Sequence, residues 1–548
     1  MRRATKFLLA SGACLLLASG ATAWLLCTDR GQATLLKTAL PMVPGLTFEK
    51  VDGHLFDLTF TKVAWEMPGL KLSADDLHLK INRDALWQKR LVVDQLTAGH
   101  FRGTLITDEL PPGDPNATSE PEDNTPLMMP FPIELHGFEV ADLGFDVDDI
   151  GIKLGYGAGE AVWIDEHLSV EPLTIQSLTV SLPKTPVETQ DKATSKPIAK
   201  TDAATDGYDV SPLRESLRAF LGQPLITSLP DVSIPFHITV KRVLGTDLKL
   251  DADTPIVLDE VILQGDMNGS DVVVDHLNVR APEGNVQLNG KIALTRTWPL
   301  EVRATARSSI APIMGETADI LLGGNLLGKV TLATKTQGAI PSTSLIVAEP
   351  SVPGLPLSVT LSSPKVDLPL DAKKKADTTQ LSKLQLRLTG SAARWTLQSG
   401  VTVDAPQTPP ATLTLKAHGT LTDLNIDSLI AQTAGGTGTV VAKADWSKHL
   451  TFKGDIKLAD LGIHHFVPSL DATLSGDAKV SGYISPKKWS IEVPTIDIKG
   501  KLAKSDLSMT AAATSQGPRE IYVPNLKVTL GDNHLEARGL IDLSLIHI

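Results

Sequence analysis

The stretch Gly323-Gly324-Asn325-Leu326-Leu327-Gly328-Lys329 has the glycine and lysine spacing of a phosphate-binding loop. Such a loop needs a Ser or Thr after the lysine to hold magnesium. It also needs a strand before and a helix after, so that backbone N–H groups converge on the phosphates. Val330 follows instead and no strand-to-helix change is evident, so a plain turn between strands is expected. Gly435-Gly436-Thr437-Gly438 lacks the same setting and reads as a hairpin or bend. His464 and His465 are adjacent, and neighbours in a strand point to opposite faces, so they are not expected to share a metal ion. The same objection applies to Asp75-Asp76 and Asp148-Asp149 as paired carboxylates, and both pairs read as solvated loop ends. Asn116-Ala117-Thr118 matches a glycosylation sequon, a string short enough to arise by chance. No H-E-x-x-H or G-x-S-x-G string occurs. The expectation is a protein that is not an enzyme, with no catalytic, cofactor-binding or metal-ligating residues.

Composition narrows the class further. Aromatic residues make up 4% of the 548 residues and apolar residues 42%. Compact domains usually fill their cores with large rings, whereas this interior must be built from Leu, Val, Ile and Ala. The net charge of −12 argues against a broad basic surface for nucleic acid. Both cysteines, Cys14 and Cys27, belong to the N-terminal apolar segment. The remainder therefore has no disulfide, thiolate metal site or cysteine nucleophile, which suits an oxidising compartment.

Arg2, Arg3 and Lys6 precede an uncharged stretch from Phe7 to Cys27, closed by Asp29 and Arg30. About 20 apolar residues is the length a helix needs to cross a bilayer. Residues 7–27 therefore read as a transmembrane anchor, with Phe7, Leu15, Leu16, Leu17, Trp24 and Leu26 in the hydrocarbon. Residues 1–6 would stay in the cytoplasm and the rest would be exported. The rival reading is a cleaved signal peptide, because Ala21-Thr22-Ala23 resembles a cleavage site. Ser11-Gly12-Ala13 before Cys14 lacks the leading Leu of a lipoprotein signal.

A short helix is expected from Ala33 to Leu40, stopping at Pro41, and the chain then turns strand-like with a period of two. Val286, Leu288, Ile292 and Leu294 oppose Asn285, Gln287, Asn289 and Lys291. Leu384, Leu386 and Leu388 oppose Lys383, Gln385 and Arg387. Leu413 and Leu415 oppose Thr412, Thr414 and Lys416, and Ile456 and Leu458 oppose Asp455 and Lys457. Glycines recur before such runs, as at Gly103, Gly265, Gly290, Gly419, Gly454 and Gly539, and mark bulges, bends or close backbone approaches. The β segments are expected at 33–107, 131–182 and 223–542. Between them, 108–130 is rich in Pro and acid and 183–210 in Lys, Thr and Ala, so both read as linkers. Ser211 and Pro212 open a helix over 211–222 that stops at Gly222.

Alternation of this kind fits two architectures. One is the core of ordinary β-sandwiches. The other is an elongated, curved sheet whose apolar face forms a groove, and scarce aromatics favour it. At roughly 15 residues per strand and turn the body would hold about 30 strands. An aliphatic groove would match lipid acyl chains, since exposing them to water costs about 0.8 kcal/mol per CH₂.

The segment from Val43 to Leu105 carries a family likeness. Val-Pro-Gly-Leu at 43–46 is followed by G-x-L-x-D-L from Gly53, V-x-W-x-x-P-G from Val63, an alternating strand and Leu86-Trp87. Further on come the two linkers, the helix after Ser211 and the D-V-x-I-P-F segment from Asp231 to Phe236. This order resembles the start of TamB-family proteins, a branch of the AsmA-like envelope proteins. The resemblance implies a mainly β, taco-like groove behind a single-pass anchor in the bacterial inner membrane, with the body in the periplasm. It implies phospholipid acyl chains as cargo and a role in outer-membrane assembly with the barrel protein TamA. Outer-membrane proteins, autotransporters among them, would be the clients. A structural tether or client-strand scaffold is the alternative. Family members are longer, and the TamA contact is expected in a C-terminal region not present here. The final LSLIHI, residues 543–548, also matches one reading frame of a common sequencing adapter and is expected to be non-native.

Overall fold

The computed structural model describes residues 44–106, 128–183, 215–216, 218, 221–253, 255–370, 378–406, 408–433, 435–467, 469–485, 489–515 and 520–542. The expected anchor at 7–27, the helix at 33–40, the sequon, most of both linkers and the tail at 543–548 lie outside them. No helix among the described residues is long and apolar enough to cross a membrane. The described chain is mainly β, with 28 strands and almost no helix. It forms two compact units, the first from Met1–Thr189 with Val232–Lys291 and the second from Gln190–Asp231 with Ile292–Ile548.

The first unit begins with β1 (Leu46–His54), β2 (Asp57–Met67), β3 (Leu70–Ile81) and β4 (Leu91–Leu105), paired antiparallel in order. Between β3 and β4 lies a short helix the alternation did not announce, α1 (Arg83–Trp87). Asn82 starts it, its Oδ1 accepting the Ala85 N–H at 3.1 Å. Then come β5 (Ile133–Val147) and β6 (Ile150–Ile164), followed by β7 (His167–Val170) and β8 (Leu173–Ser181). The last two share one position beside β6, interrupted at Glu171-Pro172, where proline has no N–H to give the ladder. β9 (His237–Asp251), β10 (Ile256–Asn268) and β11 (Asp271–Ala281) continue antiparallel.

Two joins in this unit are parallel. β4 pairs parallel with β5, and β7 and β8 pair parallel with β9. Parallel neighbours cannot be closed by a tight turn and need a crossover of a dozen residues or more. The two linkers fall between those strands. Their length therefore has a topological reason that composition alone did not reveal.

Several strands of this unit carry a non-glycine residue at positive φ: Lys62 (50°), Asp76 (51°), His100 (48°), Asp142 (51°), Ser177 (54°) and Asp247 (54°). Register shifts around Asp75 identify β-bulges. Their side chains pair across strands, His100 Nδ1 with Asp142 Oδ2 at 2.7 Å and Ser177 Oγ with Asp247 Oδ2 at 2.8 Å. Asp75-Asp76 is thus a mid-strand bulge and not the loop end expected. Asp148-Asp149 does form the exposed β5–β6 turn.

β12 (Gly284–Ala293) spans the boundary between the units. The second unit then runs as a meander in which each strand pairs antiparallel with the next. Its strands are β13 (Pro299–Ser308), β14 (Thr317–Asn325), β15 (Val330–Gln337), β16 (Ser342–Ala348) and β17 (Leu357–Leu368). Next are β18 (Thr379–Ser391), β19 (Arg394–Asp404), β20 (Ala411–Gly419), β21 (Asp423–Thr433), β22 (Gly436–Asp445) and β23 (Leu450–Gly462). β24 (Ala472–Ile484), β25 (Trp489–Leu502), β26 (Ser505–Ser515), β27 (Glu520–Leu530) and β28 (Asn533–Asp542) complete it. The lysine-bearing glycine stretch is the β14–β15 hairpin, with Gly324 at φ 114° and the Asn325 N–H on Lys329 O at 3.0 Å. Gly435, at φ 80°, turns β21 into β22. Of the helix expected at 211–222, the described Glu215, Ser216, Arg218 and Leu221 are helical, and the Gly222 N–H bonds Arg218 O at 2.8 Å.

Scarce aromatics are spent over glycines. The Phe145 ring lies where a Cβ on Gly103 would stand, 2.1 Å from its Cδ2. Phe452 covers Gly482 and Trp395 covers Gly419 in the same way. The pairs are cross-strand partners, so each ring fills the gap its opposite glycine leaves. Gly103→Ala is expected to destabilise the first unit by about 1–3 kcal/mol through overpacking. Urea unfolding measures this, and adding Phe145→Leu should recover part of the loss.

Candidate functional site

Directly opposed residues in an antiparallel pair share a face, so the register traces which side chains form each surface of the second unit. One line runs Val302, Leu322, Leu332, Ile346, Val359 and Leu388 across β13 to β18. It continues through Leu397, Ala417, Ile426, Ala442 and Gly454 to Val480. A second line runs Leu361, Leu386, Ser399, Leu415, Leu429, Val440 and Ile456. It goes on through Ala478, Ile496, Ala511 and Leu526 to Ala537. A third joins Leu413, Ala431, Gly438, Leu458, Gly476 and Ile498.

No Asp, Glu, Lys or Arg stands in any of these lines. The charges sit at the intervening positions, so Lys383, Gln385 and Arg387 are exposed while Leu384, Leu386 and Leu388 are half-buried. Thr412, Thr414 and Lys416 alternate likewise with Leu413 and Leu415, and Asp455 and Lys457 with Ile456 and Leu458. Polar side chains on the apolar face bond to one another, as Thr334 Oγ1 does with Ser344 Oγ at 2.7 Å. Residues that sequence alternation singled out on three separate strands, β18, β20 and β23, are thereby brought together. Val286, Leu288 and Ile292 lie in β12, with Val286 39% exposed, and Leu294 falls just past its end.

Among the described residues, nothing packs on this face as a second sheet would. In a sandwich, inward side chains are enclosed between layers about 10 Å apart. Among the described residues no side chain is less than 2% exposed, and the second unit's buried apolar residues are Leu300, Val366, Ala417 and Ala472. Half-buried leucines in rows are what a single layer gives: neighbours cover the flanks of each side chain and leave its tip open.

Ionisable groups do not assemble on this face. The carboxylates held below their usual range are Glu134, Asp142, Glu171 and Asp266, all in the first unit. Glu134 is held down chiefly by hydrogen bonds from Arg90, whose Nε donates at 2.9 Å, with His136 assisting against the opposing effect of burial. Asp266 accepts from Thr239 Oγ1 at 2.6 Å and from His237 Nε2 at 2.9 Å, while His237 Nδ1 meets His167 Nδ1 at 3.0 Å. This His–His–Asp chain was not legible beforehand, because the parallel β7–β9 pairing brings together residues far apart in sequence. His464 and His465 lie in a 3-10 turn (Ile463–His465) with ring centroids 3.8 Å apart, so the opposite-faces argument does not apply to them. Among the described residues no group of three or more His, Cys, Asp or Glu could hold a metal ion.

Comparison with known proteins adds a family. The model of the TamB N-terminal domain matches residues 18–546. A translocation and assembly module subunit TamB of Haemophilus influenzae is 23% identical over 533 residues, covering 94% of this chain. The match covers 40% of that relative's own length. No solved structure matches.

The geometry generates two expectations. Because the folded-state pKa of Glu134 is lowered, its stabilising contribution is present above the ordinary carboxylate pKa of about 4.3 and is lost as pH falls through the folded value. Arg90→Ala should therefore cost about 1–2 kcal/mol at pH 7, discounted for the partial exposure of Arg90. That difference should shrink at pH 3, as urea unfolding at the two pH values would read. The second expectation concerns the open face. With Cys14 and Cys27 replaced by Ala, cysteines at Leu386, Leu415 and Ile456 should react with a small thiol reagent at rates comparable with Gln385→Cys. A covering layer would slow all three but not the control.

Proposed function

The chain belongs to the TamB family, whose N-terminal domain it matches over nearly its whole length, and from that premise we propose that it is a non-enzymatic lipid conduit of the bacterial envelope. In this reading the β body curves into a groove in the periplasm, behind an inner-membrane anchor at residues 7–27. Phospholipid acyl chains travel along its apolar face toward the outer membrane. The carrying observation is the charge-free, uncovered face that follows the register from β13 to β28. A track of that kind offers an acyl chain continuous aliphatic contact, where water would impose about 0.8 kcal/mol per exposed CH₂. Each contact is non-directional, so no step along the rows needs a fixed pose and no single residue forms a deep trap. Charged side chains on the opposite face keep that surface wet.

The chain spans 40% of the Haemophilus influenzae relative, so outer-membrane protein and autotransporter assembly with TamA belongs to this proposal as a role of the longer protein. A photoreactive residue at Leu386 or Leu415 should capture phospholipid in cells, while one at Gln385 should not. Leu386→Asp with Leu415→Asp places two charges in one line and should block lipid movement while the chain stays in the membrane fraction. Protein adducts alone from both faces, or unchanged lipid flow in the charged variant, would replace the conduit by a scaffold for client strands.

A further inference from the structure

One end of the first unit gathers exposed apolar side chains from segments far apart in sequence. The register sets the end: Leu91 of β4 faces Ile133 of β5, Ile133 faces Trp163 of β6, and His167 of β7 faces His237 of β9. The connections at that end carry Leu86 and Trp87, 38% and 84% exposed, Met128 at 61%, Phe131 at 42%, Ile164 at 44% and Val232 at 37%. Backbone hydrogen bonds link the connections into a continuous border. The Leu91 N–H donates to Pro132 O at 2.8 Å, Met129 to Asp165 O at 2.9 Å and His237 to Glu166 O at 2.8 Å. The opposite strand ends expose Met67, Ile150 and Ile256, but no strongly exposed aromatic ring among the described residues.

Trp87 is the most exposed large apolar side chain described. It sits on α1, whose capped turn holds Leu86 and Trp87 outward while Ala85 is buried beneath. We propose that this end of the first unit rests in the interfacial layer of a lipid bilayer, with Trp87 and Leu86 as a wedge and Met128 and Phe131 beside them. Tryptophan suits that layer because its ring is apolar and its N–H can stay with the headgroups. Arg83 and Lys89 flank the wedge, while Asp84, Asp165 and Glu166 lie on the same border. The mixed charge makes apolar insertion, not attraction to anionic lipid, the driving contact.

A bilayer is the occupant because of what precedes β1. Residues 7–27 read as membrane-spanning, and the inference rests on that reading. The connecting residues 28–43 reach at most about 55 Å when extended. An 11-residue strand such as β2 is about 37 Å long. The tether therefore permits the distal strand ends to meet the surface that the anchor enters.

The test uses the full chain with Cys14 and Cys27 changed to Ala, reconstituted in phosphatidylcholine vesicles. A polarity-sensitive dye is attached at Trp87→Cys, Met128→Cys or, on the opposite end, Asp149→Cys. Dye at 87 and 128 should emit to the blue of dye at 149, be quenched by lipids brominated near the headgroup, and resist aqueous iodide. Circular dichroism checks that each labelled chain keeps its β signal. A chain that floats with vesicles but shows all three dyes equally open to iodide overturns the contact while leaving the anchor intact. A bilayer environment at 149 and not at 87 or 128 overturns it as well. Failure to float overturns the anchor and the contact together.

Discussion

Side-chain parity holds this structure together. Each strand has only two faces, and a slip of one residue would send every leucine of a strand into water and every lysine onto the apolar side. The second unit keeps that parity through sixteen successive strands even though its ladder is repeatedly interrupted. Where register breaks, between Ser382 and Gln385 or Leu458 and Leu461, an extra residue at positive φ takes up the slack, Lys383 in one case and Asp460 in the other. Leu381 and Leu384 thereby stay on one face although they are three positions apart. Proline is admitted at such breaks, as at Pro494 and Pro524, where the ladder does not require its missing N–H.

A single layer has energetic consequences. With no opposing sheet among the described residues, there is little deep core, and stability comes from backbone ladders and contacts between adjacent strands. Such a body behaves as a one-dimensional stack in which each strand depends mainly on its two neighbours. Large rings are then useful only locally. They lie over glycines, and the indole N–H groups of Trp298, Trp395 and Trp446 bond loop carbonyls at strand ends. The low aromatic content is a direct result of having no inter-layer space to fill.

The first unit meets a different demand. At two joins it keeps neighbouring strands running in the same direction, which short turns cannot do. Polar, linker-like segments therefore sit between parallel neighbours, and the border where several connections meet is reinforced by partly buried polar contacts such as Arg90 on Glu134 and the His167–His237–Asp266 chain. A row of positive-φ positions bearing Asp, His and Ser gives this unit its paired exterior groups. Its exposed apolar border is separate in kind from the open face of the second unit. The one collects side chains from loops, the other from strand interiors.

Sequence alone determined the strand content, the wet and dry sides of each strand and the family, because a period of two is written locally and a motif such as Val-x-Trp-x-x-Pro-Gly is contiguous. It also determined that the β14–β15 glycine stretch is a turn. Tertiary structure decided what the strands do together. Leu386, Leu415 and Ile456 fall in one line only because every intervening register is fixed by hydrogen bonds between strands. The parallel joins, the placing of Asp76 in a bulge and the meeting of His167 with His237 were likewise beyond local pattern. Alternation specifies which face a side chain takes; only the pairing of strands specifies which side chains share that face, and whether anything covers them.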